Sequence, residues 1–216
     1  MAKRNRKGWN LLLEFATVVI GILLAFQLNT CKENKAHEKL VTSHVQSILE
    51  ETELNRTQIQ ASIENSERLL QQLDSLISLV QQPESSVTKM SRMSFQLMNL
   101  DYMYLKKNAY QSFIETGDVR YMKDKDFQDA IISLYEYYDW MEGLDSSTRE
   151  NYLNNYLPYA TEKFDLITYQ PESREVYTNK LFKNYLSVYR YTIVYRLKKQ
   201  KEVEERVSQF LETYSK

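Results

Sequence analysis

The fold of this 216-residue chain is decided by residues 9–28, WNLLLEFATVVIGILLAFQL, a run that is almost entirely apolar. At the α-helical rise of ~1.5 Å per residue the run is about 30 Å long, which matches the hydrocarbon core of a bilayer. Trp9 stands at its start, where an interfacial aromatic side chain is common. The run therefore predicts a transmembrane helix at 9–28, and the remaining predictions follow outward from it.

The two flanks of this run differ in charge, and the difference predicts its orientation. The preceding residues carry four basic side chains, whereas the following segment, CKENKAHEK, mixes both signs. The basic residues are Lys3, Arg4, Arg6 and Lys7. Because positively charged flanks stay in the cytoplasm, we expect a cytoplasmic tail at 1–8, an uncleaved signal anchor at 9–28, and a domain at 29–216 on the far side of the membrane.

A cleaved signal peptide and a lipid anchor are the alternatives to an uncleaved span. Cleavage needs a small-x-small site, and residues 27–30, QLNT, do not supply one. Lipidation depends on a recognisable acceptor motif, which is missing before Cys31. A single cysteine also excludes an internal disulfide framework, so Cys31 is expected to be a packing residue next to the membrane.

The composition predicts an all-α fold. With only 4 glycines and 3 prolines, the chain lacks the turn residues that sandwiches, barrels and doubly wound sheets need. No glycine occurs between Gly21 and Gly117, and the first proline is Pro83, so the transmembrane helix can continue into an antiparallel helical bundle. A net charge of −1 gives no reason to expect binding to nucleic acid.

Glycine, proline and helix-capping residues in the remaining sequence predict four more helices. The second is expected at 88–115, with Gly117 as its C-terminal cap, and the third at 124–142, ending at Gly143. A fourth is expected to open at 145–147, where Ser147 and Glu150 have the spacing of a capping box, and to bend near Pro158. The last is expected after Pro171 and runs to about residue 214.

The anchor segment GILLAFQLN, followed by KEN, resembles a family of uncharacterised single-pass inner-membrane proteins of Gram-negative bacteria. A second segment at 109–138, AYQSFIETGDVRYMKDKDFQDAIISLYEYY, is similar to another block of that family. The anchor positions that match are Glu14, Gly21, Ile22, Leu23, Ala25, Gln27, Asn29 and Glu33. Thr30 and Cys31 depart from the family pattern, which has Asn-Trp there. The resemblance implies a bacterial inner-membrane anchor and a periplasmic helical domain, and it implies no activity.

Glu14 is the first candidate for a functional residue, because ionisable groups inside a membrane are costly and often functional. At helical spacing it shares one arc with small side chains, and such an arc lets two helices approach closely. The predicted packing face consists of Glu14, Thr17, Gly21, Ala25 and Leu28. Glu14 would then hydrogen-bond or relay protons at a helix contact. The alternative is a shallow carboxylate that reaches back toward the headgroups.

Two other groups of residues can be weighed for binding. His37, His44 and Glu33 recur on one helical face, but without a third strong ligand we expect a solvated face and no metal. Twelve of the 17 tyrosines lie within 135–195, and an aromatic groove for a glycan, peptide or lipid headgroup is possible. Its predicted members are Tyr135, Tyr138, Tyr185, Tyr189 and Tyr195. The alternative is ordinary packing between helices.

No catalytic motif is present. The sequence contains no phosphate-cradling glycine loop, no paired zinc motif and no evident nucleophile with its base, so we expect neither an enzyme nor a cofactor. The first hypothesis is a membrane-anchored periplasmic protein that acts as a binding, scaffold or sensor-like accessory module, oligomeric or bound to another membrane protein through its span. A second is a subunit of a proton-coupled membrane complex that uses Glu14. An enzyme built on the tyrosine-rich helices is the third.

Overall fold

The computed structural model describes residues 5–98 and 102–215, with side chains from residue 9 onward. The described chain is all-α, as predicted. Its α-helices are α1 (Asn5–Gln81), α2 (Val87–Gln96), α3 (Asn108–Glu115), α4 (Lys125–Asn151), α5 (Leu157–Lys163), α6 (Glu175–Thr178) and α7 (Lys180–Tyr214). A 3₁₀ turn at Asp118–Tyr121 precedes α4, a π-helical turn at Tyr152–Tyr156 joins α4 to α5, and a two-stranded hairpin pairs β1 (Phe164–Asp165) with β2 (Gln170–Pro171).

Helix α1 runs for 77 residues without a break, so the predicted continuation of the N-terminal apolar helix into the bundle is confirmed. From residue 9 to residue 36 every side chain of α1 is exposed. Beyond that point one face of the helix packs against the rest of the protein, with Ile48, Ile59 and Leu73 fully buried. The helix ends at Gln81, because Pro83 disfavours helical backbone at the residue before it.

The bundle forms where α7 runs antiparallel to α1 and α4 packs along α7. Apolar side chains collect in two separate groups. The proximal core, nearer the span, includes Ile48, Phe113, Tyr138 and Val207. The distal core, at the far end of α1, includes Leu73, Phe182 and other buried aromatic side chains. Full burial of each such large side chain stabilises the fold by roughly 1.5–3 kcal/mol.

A buried polar layer separates the two cores. It consists of Ser62 and Ser66 on α1, Asp145 on α4, and Arg196 and Gln200 on α7. On α1 and α7 these residues lie between members of the proximal core and members of the distal core, and Asp145 lies between Met141 of the proximal core and Tyr152, the distal-core residue just past α4. The layer therefore fixes the register of the three helices, because its polar groups find partners only when all three are aligned.

The predicted second helix is wrong in its extent, because α2 ends at Gln96 and α3 begins at Asn108. Two side chains of α1 account for the non-helical backbone at residues 102–107 and for the start of α3. Asn55 pairs with both the N–H and the carbonyl of Lys106, each at 2.8 Å. Glu51 accepts a hydrogen bond from the backbone N–H of Ala109 at 2.9 Å, within the first turn of α3. These tertiary contacts replace the helical bonds that local propensity favours.

The predicted break at Gly143 and the helix start at Ser147 are also wrong. Helix α4 continues through both positions to Asn151, and the Ser147 hydroxyl donates to the Gly143 carbonyl within the helix. A glycine inside a helix costs only about 1 kcal/mol, and continuation of α4 past Gly143 brings Asp145 to its partner Arg196 on α7. The irregularity expected near Pro158 takes the form of the π-helical turn, in which the Leu157 N–H donates to the Tyr152 carbonyl.

Candidate functional site

The predicted packing face lies within residues 9–36 of α1, where every side chain is exposed. We call this part of the helix the bare segment. Thr17, Gly21, Ala25 and Leu28 are exposed, as is Glu14. A side chain built at Gly21 would meet no atom within 4 Å, so nothing in the described chain covers this face. The chain thus has one N-terminal helix that is long and apolar enough to cross a membrane. The four basic residues of the tail lie outside the residues whose side chains are described.

The uninterrupted α1 fixes how this face is oriented relative to the bundle. Successive residues of an α-helix are rotated by about 100°. On this period Gly21 and Ala25 lie on roughly the opposite side of α1 from Ser62 and Ser66, which hydrogen-bond to α7. A helix that packed on Gly21 and Ala25 would therefore approach α1 from the side away from the bundle.

The two histidines occupy separate contacts just beyond the span. The His37 ring stacks on Tyr121 with centroids 3.6 Å apart, and His44 Nε2 lies 3.1 Å from Asp118 Oδ2. Both contacts join α1 to the 3₁₀ turn, which begins after Gly117 in the left-handed conformation at φ +75°. Within the described ranges no three His, Cys, Asp or Glu side chains form a group that could hold a metal ion.

The five candidate tyrosines are not brought to one surface. Tyr135 and Tyr138 are buried in the proximal core, and Tyr135 donates a hydrogen bond to Glu51 at 2.6 Å. Tyr185 and Tyr189 belong to the distal core, while Tyr195 is exposed beside Lys199. Burial raises the pKa of the Tyr135, Tyr138 and Tyr189 hydroxyls above the usual range. These phenols therefore stay neutral, and Tyr138 and Tyr189 contribute packing while Tyr135 also contributes its hydrogen bond to Glu51.

A groove lies at the far end of the bundle, between α2 and the hairpin, and we call it the distal groove. Its volume is about 490 Å³, within the range of roughly 300–1,000 Å³ found for small-molecule sites. It is lined by Thr88, Arg92, Phe95, Gln96, Tyr169 and Gln170. The described lining residues supply two aromatic rings, two amides, a hydroxyl and a guanidinium, with no carboxylate among them.

The hairpin holds Tyr169 in a strained position at this groove. Tyr169 has φ +57°, a left-handed conformation that costs a non-glycine residue about 1 kcal/mol or more. Its ring meets Phe95 edge to face with centroids 4.7 Å apart, and the Ser91 hydroxyl donates to its carbonyl. The contacts of both its ring and its backbone therefore offset the strain and hold Tyr169 in place.

The turn of the hairpin is organised by Asp165. The Asp165 carboxylate accepts hydrogen bonds from the backbone N–H groups of Ile167 at 2.9 Å and of Thr168 at 3.1 Å. Hydrogen bonds from the Thr168 side chain and from these N–H groups hold the pKa of Asp165 below its usual range. The Asp165 carboxylate is therefore ionised at neutral pH and can accept these hydrogen bonds. Ile167, at the tip of the turn, is 89% exposed.

Arg92 is the charged group of the distal groove. Within the part of the chain that the structure describes, it contacts no carboxylate and no carbonyl acceptor. The nearest basic neighbour on α2 is Lys89, and α2 carries no acidic residue. Its guanidinium is therefore available to a ligand.

The distal groove was missed by sequence reasoning, because it joins residues about 75 positions apart. Helical periodicity reports which face of α2 is buried, and it does not report which loop will lie across that face. The only local signal is the segment at 165–169, DLITY, where an acidic turn residue precedes apolar side chains.

Comparisons with models of known protein families, with curated proteins and with solved structures find no match. The resemblance of the anchor to an inner-membrane family therefore stays a prediction. Function has to be argued from the geometry of α1 and of the distal groove.

Proposed function

We propose that the chain is a membrane-anchored, non-enzymatic binding protein whose domain lies in the periplasm and whose recognition site is the distal groove. The observation that carries this proposal is the continuity of α1, which has a bare apolar segment at one end and the distal groove beside its other end. Within residues 5–98 and 102–215, the groove lining has no pair of acidic and basic groups that could exchange a proton with a substrate, which supports binding rather than catalysis.

The bare segment supports anchoring in a bilayer. Its leucine, isoleucine and phenylalanine side chains, such as Leu12, Phe15 and Phe26, are largely exposed in the isolated chain. A contiguous apolar surface of this kind is rare on soluble monomers. In a bilayer each such residue favours insertion by about 0.3–0.6 kcal/mol at the helix centre, and the backbone groups of residues 9–28 are hydrogen-bonded within α1.

Helix α1 then acts as a spacer. From residue 29 to its end at Gln81 it extends about 75–80 Å at ~1.5 Å per residue. Packing against α7 along this length stiffens it, and Arg174 ties the hairpin region to the Pro83 carbonyl just past the helix. The distal groove is thereby held far from the lipid headgroups, where it would meet ligands or partners in the periplasm.

Cys31, the free and exposed cysteine next to the span, tests the orientation. We expect a membrane-impermeant maleimide to label Cys31 in intact cells whose outer membrane has been made permeable, because residue 31 follows the span on the periplasmic side. The readout is the fraction labelled before and after lysis. Cys31→Ser is the blank, and Ala2→Cys in the Cys31→Ser background is the matched control, labelled only after lysis. Labelling of position 2 before lysis, with Cys31 protected, would contradict the proposal.

A partner along the span is the second part of the proposal. A second copy, or another membrane protein, would pack on the face of Thr17, Gly21 and Ala25, which points away from the bundle. We expect Gly21→Ile to reduce oxidative crosslinking between spans several-fold, since a branched side chain prevents close approach. The crosslink is measured in membranes with Leu28→Cys in the Cys31→Ser background.

Ala16→Ile is the matched control for this substitution, because it adds similar bulk on the opposite side of the same helix. Crosslinking should be unchanged in Ala16→Ile. Equal crosslinking of the Gly21→Ile variant and its parent would remove the small-residue face from the proposal.

A further inference from the structure

We infer that the distal groove binds a carboxylate carried next to a planar apolar group, such as an aromatic or unsaturated acid or a peptide end of that character. The inference rests on the proposed binding function and adds the chemical class of the ligand. It combines three observations: a guanidinium without a partner, an aromatic wall and a pre-formed loop.

The guanidinium of Arg92 selects the charged part of the ligand. Arginine presents a planar fork of N–H donors that matches a carboxylate in a bidentate geometry, and its charge is permanent. No acidic side chain lines the groove among the residues that the structure describes, and Lys89 adds a second positive charge to α2. A cation would be repelled, whereas an anion would find an unoccupied donor.

The aromatic wall selects the neighbouring part of the ligand. Phe95 and Tyr169 meet with an interplanar angle of 82°, so the two rings form a corner of the groove. A flat group can stack on one ring and meet the edge of the other, an arrangement worth about 0.5–1.5 kcal/mol for aromatic pairs beyond area burial. Gln96 and Gln170 add amide groups that can donate to and accept from ligand oxygens.

The loop that carries Tyr169 is already in place without a ligand. Asp165 fixes the turn, and the Ser91 hydroxyl holds the Tyr169 carbonyl. Tyr169 is left-handed although 56% of it is exposed, and such strain is typical of binding sites. Because the loop is ordered beforehand, ligand binding would not incur the entropic cost of ordering it.

A lipid surface is the competing source of anionic groups. The distal groove lies at the opposite end of α1 from the bare segment, about 75 Å away by helical rise, which favours a dissolved ligand. The test therefore uses the full-length protein in nanodiscs of zwitterionic lipid, repeated with discs that contain anionic lipid. Loss of benzoate binding in the anionic discs would overturn the assignment to a dissolved carboxylate.

The probe is benzoate, with benzamide as its uncharged isostere, followed by saturation-transfer NMR. We expect benzoate to bind the wild-type protein and Arg92→Gln to weaken that binding about tenfold or more, the loss typical of a charge-assisted bidentate contact. Arg92→Lys should fall between the two, because it keeps the charge and loses the fork. Benzamide binding should be unaffected by either change.

Arg68→Gln is the matched control, since Arg68 is an exposed arginine on α1 away from the groove. Tyr169→Gly should weaken both probes while the protein stays folded, because removal of the ring is offset by relief of the left-handed strain. Equal binding of benzoate and benzamide would overturn the carboxylate assignment and leave the binding function standing. Absence of benzoate binding, or equal binding in Arg92→Gln, would also overturn it. Protection of Cys31 in the labelling experiment would instead remove the proposed function.

Discussion

Replacing Asp145 by leucine is expected to lower the free energy of unfolding by about 3–5 kcal/mol, because the substitution leaves the Arg196 charge buried without its counter-ion. Arg196 donates from Nε to Asp145 Oδ1 at 2.7 Å and from Nη2 to Oδ2 at 2.9 Å. Only 4% of Arg196 and 8% of Asp145 are exposed. Asp145 Oδ2 also accepts the backbone N–H of Met103 at 3.0 Å, which would lose its acceptor as well. Chemical denaturation of the full-length protein in detergent, followed by far-UV circular dichroism, measures the loss.

Two comparisons separate a buried ion pair from charge in general. The double variant Asp145→Leu with Arg196→Met should recover much of the loss, since it removes both charges and leaves apolar groups of similar size. The matched surface pair is Asp74 and Arg190, which also joins α1 to α7 and is about half exposed. Asp74→Ala should cost no more than about 1 kcal/mol. Similar losses from Asp74→Ala and Asp145→Leu would contradict the role given to the polar layer.

Replacing Ala61 by proline is expected to cost about 3 kcal/mol or more, because proline removes one helical hydrogen bond and its ring collides with the carbonyl four residues earlier. Ala61 lies in the middle of the packed part of α1 and its side chain is exposed, so the loss would come from the backbone alone. It adjoins Ser62, a member of the buried polar layer, which would be displaced. The same denaturation experiment measures the change.

Ala61→Gly is the control for this position. Glycine keeps the backbone N–H and should cost only about 1 kcal/mol. If proline and glycine destabilised the protein equally, α1 could not be the uninterrupted helix on which the proposed spacer depends.

The helical framework was predictable from the sequence because its signals are local. The absence of glycine and proline between Gly21 and Pro83 let α1 run from the apolar segment into the bundle, and the same scarcity of turn residues excluded a β fold. The last helix was likewise expected to follow Pro171 and run to about residue 214, and α7 occupies Lys180–Tyr214.

The errors in the helix boundaries come from tertiary contacts that no local signal reports. Gly143 resembles a helix end, but Asp145 two residues later is buried against Arg196 on α7, and this contact requires α4 to continue. Conversely, residues 102–107 before α3 are not helical, because Asn55 of α1 bonds the backbone of Lys106, and Glu51 fixes the start of α3 through the N–H of Ala109. In both places a partner about 50 residues away in sequence decides the local structure.

The candidate site was harder to predict from the sequence than the fold. The count of tyrosines drew attention to aromatic side chains, and most of those named lie in the two cores. Of these five, none lines the distal groove, which takes Tyr169 from a hairpin turn and Phe95 from α2. A groove between a helix and a distant loop depends on which loop packs against that helix. Helical periodicity contains no information about such long-range packing.

The central claim, that α1 crosses the membrane and holds the hairpin far above it, is tested most directly by energy transfer to acceptor-labelled lipids in liposomes. One donor is attached at Cys31, and another at Ile167→Cys in the Cys31→Ser background, with a donor–acceptor pair whose range is shorter than the packed length of α1. We expect strong transfer from position 31 and almost none from position 167, about 75 Å away by helical rise. Comparable transfer from both positions would show the bundle lying on the membrane, and no transfer from either would show that the apolar helix is not inserted; each result would contradict the account.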